Sequence, residues 1–272
     1  MTQPFDPGAV AEPFASLCRD FPGAEAYPAR DFRIEWGPVF HRGRLDGSAR
    51  VLVLGQDPAQ HEAISRRILV GEAGQRVQAF LAKLGIDSSY VMVNAFLYSV
   101  ASQGGGSRHR NDPAIVGYRH RWLDALLVGT RIEAVVAFGS IAREAFEHWR
   151  GTPAGRARDL AFEAVRHPTF PEGSSAGDEE KRAEAVREML GGWNEALARL
   201  APVIEHPDAE RELELYDVAG EPEVAGIPER DLPAGCPPWM RSLRTWADRE
   251  GANREEKRAT IVVRVPREER PW

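Results

Sequence analysis

The sequence contains little cysteine and no long apolar run. Cys18 and Cys236 are too few and too far apart to form a four-cysteine cluster, a zinc ribbon or a disulfide framework. No run of about 18 apolar residues occurs, and the N-terminus lacks the basic-then-apolar order of a signal peptide. We therefore expect a cytoplasmic protein that has no contact with membranes and needs no metal, iron-sulfur cluster or other cofactor.

An excess of positive charge is also missing, since the 272 residues have a formal net charge of -6 at pH 7. Proteins that coat nucleic acid usually have a broad basic surface, so this balance argues against that class but not against local contacts. Arginine outnumbers lysine and occurs in short groups, which are either solvated surface charge or phosphate contacts. These groups are Arg66 with Arg67, Arg108 with Arg110, Arg119 with Arg121, and Arg166 beside His167.

Apolar segments and helical patterns alternate four times between residues 51 and 200. The predicted strands are residues 51–54, 90–96, 132–138 and 160–165. This alternation predicts an α/β fold, namely a three-layer α/β/α arrangement around a central, mostly parallel, four-stranded sheet. Glycine-rich residues 102–111 are predicted to form a loop. The last helix, residues 178–200, is predicted to be interrupted at Gly191 and Gly192.

The segments on either side of this alternation lack a comparable pattern. Residues 1–50 are rich in proline and glycine and are predicted to be an N-terminal extension. Residues 201–272 are predicted to be a C-terminal extension packed on the domain formed by residues 51–200. The C-terminal extension includes an amphipathic stretch near residues 239–246 and a possible edge strand, TIVVRV.

Polar side chains follow three of the predicted strands. Gln56 and Asp57 follow the first, Asn94 lies near the end of the second, and Arg166 and His167 follow the fourth. Each has an ordinary explanation, because Asp-Pro is a common turn, asparagine caps backbone groups and histidine is often exposed. Together they place an acid, an amide and an imidazole at the carboxyl edge of one sheet, where α/β proteins bind ligands.

Five motifs in this region resemble those of the uracil-DNA glycosylase superfamily. GQDPAQHE after VLVL is similar to the first motif of that superfamily, which is GQDPYH in family 1 and GEAPG in family 4. RRILVGEAGQRVQAFLAKLGI resembles a family 4 segment, and VMVNAFLYSV resembles the family 1 strand that presents a base-recognising asparagine. RHPTF resembles the closing HPSP motif, and VVAFGSIAREAF resembles a strand-turn-helix of the superfamily. The resemblance covers about residues 51–200, and the motifs occur in the same order.

The resemblance implies a role for each of these polar residues in hydrolysing the bond between uracil and deoxyribose. Asp57 would orient the attacking water and stabilise the cationic sugar, and Gln56 would line the pocket. His167 would donate a hydrogen bond to uracil O2 as negative charge develops there. Asn94 would pair with uracil O4 and N3–H, a pattern that the edge of cytosine does not match.

The resemblance also implies a set of DNA contacts. Three arginines would bind phosphates, namely Arg108, Arg110 and Arg166. Thr169 and Phe170 would press into the duplex when the base is flipped out, with Phe170 as the wedge. His109 would contact phosphate or lie at the surface; the alternative is covalent attachment to the abasic sugar, as in a related branch whose loop matches poorly here.

Three positions depart from the family patterns. Ala59 stands where family 1 has the tyrosine that excludes thymine, so thymine exclusion must come from elsewhere or be incomplete. Leu69 stands where family 4 has the phenylalanine that stacks on uracil, which leaves Phe96 or another aromatic residue as the replacement. The cysteines that hold the family 4 iron-sulfur cluster are missing, which indicates a branch without the cluster.

These observations leave two alternatives to a monomeric enzyme that acts on DNA containing uracil. One is a glycosylase for hypoxanthine, xanthine or mismatched thymine, and the open position at Ala59 favours it. The other is a protein that binds abasic sites or damaged DNA with little turnover. A nucleotide-binding α/β protein is disfavoured because neither GxGxxG nor GxxxxGK[ST] follows the first strand.

Overall fold

The central element of the computed structural model, which describes residues 5–270, is a five-stranded sheet in the order β1-β3-β2-β4-β5. Its strands are β1 (His41–Gly43), β2 (Val51–Gly55), β3 (Tyr90–Asn94), β4 (Ala134–Phe138) and β5 (Ala161–Val165). Strands β2 to β5 pair in parallel, and β1 pairs with β3 in the antiparallel direction. Residues 1–4 and 271–272, the ends of the two predicted extensions, lie outside the described residues.

Helices cover both faces of this sheet. They are α1 (Phe14–Arg19), α2 (Gln60–Ser65), α3 (Glu72–Lys83), α4 (Gln103–His109), α5 (Pro113–Leu127), α6 (Ser140–Arg150), α7 (Pro153–Arg156), α8 (Phe170–Ser175), α9 (Glu179–Leu200) and α10 (Arg254–Ala259). Short 3₁₀ helices occur at Ile34–Trp36, Ala201–Val203, Glu229–Asp231, Pro238–Arg241 and Arg267–Glu269. No helix among the described residues is both long and apolar enough to cross a membrane.

Alternation along the strands divides the core into two layers. Leu52 and Leu54 face the layer that contains α1, α5 and α6, whereas Val51 and Val53 face the layer of α3 and α9. Both faces of the sheet are therefore covered, which explains why the strands are nearly continuous apolar runs. The predicted three-layer α/β/α fold is confirmed.

The sheet has one strand more than the predicted four. Strand β1 lies in the segment expected to be an N-terminal extension, and its sequence, His-Arg-Gly, has no apolar pattern that indicates a strand. Gly43 has a φ of +95°, and a Cβ at this position would clash with the carbonyl oxygen of Tyr90. The close approach of two backbones, rather than side-chain hydrophobicity, distinguishes this strand.

Three other elements differ from their predictions. Residues 103–109 form α4 rather than a loop, because Ser102 caps the helix and small glycines let it approach Asp31 closely. Helix α9 continues through Gly191 and Gly192, where fully buried Trp193 packs between the rings of α3 and β4. The predicted edge strand forms β7 (Ile261–Val263), which pairs with β6 (Ala247–Arg249) in a separate two-stranded sheet.

A buried ionic cluster joins strand β1 to the C-terminal segment. The carboxylate of Asp231 accepts a hydrogen bond from Arg42 at 3.1 Å and further hydrogen bonds from Arg44 and the Tyr90 hydroxyl. Arg42 and Asp231 are both fully buried. Because a buried charge is costly without its partner, this cluster ties the two segments outside the predicted domain to the sheet.

We expect Asp231→Asn to lower the free energy of unfolding by about 3 kcal/mol, because it leaves the buried guanidinium of Arg42 and the partly buried one of Arg44 without their shared carboxylate. Urea unfolding followed by circular dichroism measures this change. The control is Glu229→Gln, which removes an exposed carboxylate 3.7 Å from Arg241 and should lower stability by less than about 1 kcal/mol. Equal unfolding midpoints for the two variants would contradict the prediction.

Candidate functional site

The parallel strands place several predicted site residues at one edge of the sheet. Gly55, the last residue of β2, is in register with Asn94, the last residue of β3. Phe138 at the end of β4 is likewise in register with Val165 at the end of β5. The segments that begin with Gln56 and Arg166 therefore leave the sheet at the same edge as Asn94.

Asn94 provides a buried amide without a hydrogen-bond partner. Its side chain packs against Gly55 so closely that a Cβ at position 55 would clash with Asn94 Oδ1. Both amide atoms, Oδ1 and Nδ2, are shielded from solvent, and neither has a partner among the described residues. An unpaired buried amide costs roughly 1–3 kcal/mol, so this group is suited to pair with a ligand that presents both a donor and an acceptor.

Leu69 contributes an apolar wall next to this amide. Its Cδ1 lies 3.6 Å from the position that a Cβ of Gly55 would occupy, which is the space that Asn94 also faces. The backbone of Leu69 has a φ of 54°, a conformation that is strained for a residue other than glycine. Gly74 permits it, because a Cβ there would clash with the Leu69 carbonyl. This strained backbone conformation occurs at the position predicted to contact the base.

Glu62 fixes the loop that contains Leu69 relative to the loop after β2. Its Oε1 accepts hydrogen bonds from the backbone N–H groups of Val70 and Gly71 at 2.9 and 3.2 Å. Its Oε2 accepts one from Ala59 at 2.9 Å. Ala59 itself is exposed, so no large side chain closes the site at this position.

Asp57 is a partly buried carboxylate whose pKa is raised. Its Oδ2 accepts a hydrogen bond from the backbone of Val100 at 2.8 Å, and its Oδ1 accepts one from Gln56 Nε2 at 3.0 Å. Burial raises the pKa of Asp57 to about 6, and these hydrogen bonds and the nearby Arg33 only partly offset that effect. Above pH 6 the group is an ionised carboxylate in a poorly solvated site, which suits it to stabilise a cation or to accept a proton.

Arg33, from the predicted N-terminal extension, holds the segment that contacts Asp57. Its guanidinium donates to Ser99 Oγ at 3.0 Å and to the carbonyl oxygens of Val100 and Ala101. Burial lowers the pKa of Arg33 to about 10. No motif identified this residue, because its contacts lie more than 60 positions away in the chain.

His167 is held in one tautomer by its own loop. The backbone N–H of Thr169 donates to His167 Nδ1 at 3.2 Å, so the proton of the neutral ring is on Nε2. Thr169 Oγ1 lies 3.0 Å from the same nitrogen. Burial, together with the charge of Arg76, lowers the pKa of His167 to about 4. The ring is therefore neutral at physiological pH and presents an N–H donor away from Thr169.

Arg76 positions the His167 loop from helix α3. This buried guanidinium donates to the carbonyl oxygen of Pro168 and to both carboxylate oxygens of Glu172, the latter at 3.0 and 2.9 Å. A comparable contact is made by buried Arg119, which donates to the carbonyl oxygen of Ala95, directly after Asn94. The sequence contains both arginines, but only the fold shows that each supports a site residue.

An open cleft of about 750 Å³ lies beside His167. Gln56 from the first loop, Gly139 and Ser140 at the start of α6, and Phe170 all line it. Asn94 and Asp57 do not belong to its lining, whereas Gln56, next to Asp57 in the chain, does. The cleft therefore lies at the carboxyl edge of β5 and adjoins the loop that contains Asp57.

The predicted phosphate-binding arginines all have acidic partners in this structure. Arg108 contacts Asp31 at 2.8 Å, Arg110 contacts Glu144 at 3.2 Å, and Arg166 contacts Glu188. Their side chains remain 63, 42 and 51% exposed, so an anion can reach each of them. The Arg166 guanidinium also lies over the Phe170 ring, 4.5 Å from its centroid.

Three residues predicted to contact DNA or the base are engaged with other parts of the protein. His109 Nε2 lies 2.9 Å from Asp31 Oδ2, so that nitrogen is engaged within the protein. Phe96 is almost fully buried, and its ring packs against Phe32 at 5.4 Å, which makes it part of the core rather than a free ring for base stacking. Phe170 is partly buried against the core layer of α9 at the start of α8.

The described side chains do not form a metal site. Within residues 5–270 no group of three or more His, Cys, Asp or Glu side chains is arranged to hold a metal ion. Cys18 and Cys236 are both free thiols, and burial raises the pKa of each.

We expect Asp57→Asn to stabilise the fold at neutral pH. Because the folded-state pKa is raised from 3.8 to about 6, ionised Asp57 destabilises the folded protein above pH 6. The variant should be more stable than the wild type by about 2 kcal/mol at pH 7.5, and the difference should shrink as the pH falls from 6 towards 4. Urea titrations at several pH values measure this, with exposed Asp159→Asn as the control. A variant that is less stable than the wild type at pH 7.5 would contradict the account.

Comparison with known families agrees with this geometry. A family model described as the uracil DNA glycosylase superfamily matches residues 42–200, more than half of the chain. No curated protein matches the chain. The matched range begins in β1 and ends with α9, so it spans Asp57, Asn94 and His167. The chain therefore belongs to the uracil DNA glycosylase superfamily, with DNA as its substrate and a glycosylase-type function in DNA repair.

Proposed function

We propose that this protein is a uracil-DNA glycosylase, which flips uracil out of DNA and hydrolyses its N-glycosidic bond to leave an abasic site. The observation that supports this most is the buried, unpartnered amide of Asn94 at the same sheet edge as Asp57. A base that enters this space meets an amide able to test its donor-acceptor edge and a carboxylate suited to a developing sugar cation.

Asn94 accounts for the choice of base. Its Oδ1 accepts a hydrogen bond from uracil N3–H, and its Nδ2 donates one to uracil O4. With the amide held in this orientation, cytosine, which presents an acceptor at N3 and a donor at N4, leaves both amide atoms mispaired in a buried site. Leu69 packs on the base through apolar contact.

Asp57 and His167 act on opposite sides of the bond that breaks. When the bond between C1′ and uracil N1 breaks, both electrons leave with uracil and positive charge develops on the sugar. Ionised Asp57 stabilises that charge and orients water, whose oxygen bonds to C1′ while its proton passes to the carboxylate. The His167 Nε2–H donates to uracil O2 and stabilises the departing anion, as its tautomer allows.

Base flipping requires the surroundings of the cleft to hold a distorted duplex. Phe170 lies at the cleft beside His167 and is the candidate wedge for the space that the flipped base leaves. Arg108, Arg110 and Arg166 bind phosphates by exchanging their acidic partners for the DNA backbone, which fixes the position of the DNA without specifying sequence. His109 remains paired with Asp31 and does not form a covalent bond.

The exposed position of Ala59 favours a second candidate, a glycosylase for hypoxanthine, xanthine or mismatched thymine. The family 1 tyrosine fills this position, and alanine leaves room for a methyl group or a larger base. The two candidates share Asp57 and differ only in the base that Asn94 and its surroundings accept.

We expect purified protein to produce alkali-labile abasic sites in oligonucleotides that contain uracil, and Asp57→Asn to slow this by at least about a hundredfold. The assay compares single- and double-stranded DNA containing uracil, hypoxanthine, xanthine or a G:T mismatch. Asp159→Asn, which removes an exposed carboxylate before β5, should cleave at the wild-type rate.

Other outcomes of this assay distinguish the alternatives. Cleavage of hypoxanthine, xanthine or thymine DNA but not uracil DNA would replace the base assignment and keep the mechanism. Tight binding of abasic DNA with no cleavage of any substrate would indicate a damage-recognition protein instead.

A further inference from the structure

The C-terminal segment beyond the family match is attached directly to the first motif of the site. His61 Nε2 accepts hydrogen bonds from Thr245 Oγ1 at 3.2 Å and from the backbone N–H groups of Trp246 and Ala247 at 3.4 and 3.3 Å. Gln60 Nε2 donates to the Ala247 carbonyl at 3.2 Å. Gln60 and His61 both lie in α2, which begins three residues after Asp57. Strand β6 is therefore fixed beside the loop that contains Asp57.

The other end of this segment contacts the loop that supports Asp57. Arg258 in α10 donates to the Phe32 carbonyl at 2.8 Å and forms an ion pair with Glu35 at 2.6 Å. Trp36 Nε1 donates to the Arg258 carbonyl at 3.1 Å. The unit formed by β6, α10 and β7, which we name the C-terminal hairpin (residues 247–263), is therefore fixed to α2 through β6 and to the residues on either side of Arg33 through α10.

Arg249 is an exposed arginine of this hairpin. It ends strand β6, two residues after buried Ala247, and it has no acidic partner among the described residues. Its charge adds to the effect of burial in lowering the pKa of Arg33, in agreement with the anchoring of α10 to Phe32 and Glu35 on either side of Arg33. An exposed arginine without a carboxylate partner is able to bind an anion such as a phosphate.

The charge around the hairpin is more positive than that of the whole chain, whose net charge is -6. The hairpin itself, residues 247–263, contains four Lys and Arg residues and four Asp and Glu residues, and residues 239–246 and 264–270 on either side add five basic and two acidic residues. The hairpin is therefore neutral in sum, and its flanks are weakly basic, which permits contact with an anion.

We propose that the C-terminal hairpin is a DNA-contacting element in which Arg249 binds a backbone phosphate beside the flipped nucleotide. This inference rests on the proposed function and extends it to a part of the chain outside the superfamily match. The contact holds the DNA against Asp57 without recognising sequence, because phosphates are the same at every step of the backbone.

The test is the salt dependence of binding to a duplex that contains a tetrahydrofuran abasic analogue. Loss of one phosphate contact should reduce the slope of log Kd against log salt by about 0.9, and Arg249→Ala should weaken binding about tenfold at low salt. Arg249→Lys should keep the wild-type slope, since the charge is retained. Arg131→Ala removes an exposed arginine at the opposite, amino-terminal edge of the sheet and should leave both the slope and Kd unchanged.

Steady-state cleavage of uracil DNA provides a second readout. Arg249→Ala should raise KM and leave kcat unchanged, because Arg249 contacts neither the base nor the sugar. Its thermal unfolding should match the wild type, since its side chain is exposed.

The outcomes separate this inference from the proposed function. A wild type that cleaves uracil DNA, together with an Arg249→Ala variant that keeps the wild-type slope and KM, would overturn the role of the hairpin alone. A wild type that neither cleaves nor binds modified DNA would overturn both.

Discussion

The pairing of Gly55 with Asn94 at the ends of β2 and β3 is the constraint on which the site depends. Because position 55 has no side chain, the Asn94 amide can lie against the neighbouring strand and remain buried without a partner. Because Gly55 and Asn94 are in register, the loop that contains Asp57 leaves the sheet next to the Asn94 amide. The unpaired amide destabilises the empty protein, and a base that satisfies it gains the corresponding free energy on binding.

Burial at this edge also separates the protonation states of Asp57 and His167, the two groups proposed to be catalytic. It raises the pKa of Asp57 to about 6 and lowers the pKa of His167 to about 4, so both shifts favour the uncharged form. Above pH 6 the carboxylate is nevertheless ionised while the imidazole is neutral. In the proposed mechanism, the site thus combines an anion near the sugar with a neutral donor near the base, as cleavage with a departing base anion requires.

The sequence predicts those parts of the fold and site that follow from local pattern. Four apolar runs predict the four parallel strands. Asp57, Asn94 and His167 lie at one edge of the sheet because parallel strands share a direction. Strand β1 has no such pattern, since its pairing depends on a close backbone approach. The supporting role of Arg33 depends on a contact with Ser99, distant in the chain, and the direction of the Phe96 ring depends on core packing, so neither follows from local pattern.

The most direct test of the account is the pH dependence of single-turnover uracil excision between pH 4.5 and 8.5. If Asp57 must be ionised, the rate should rise about tenfold per pH unit below about 6, where its pKa lies, and level off above it. Asp57→Asn should be slow and lack this rising limb. A wild-type rate that is independent of pH, or a rising limb that persists in Asp57→Asn, would contradict the assignment of Asp57 as the catalytic carboxylate.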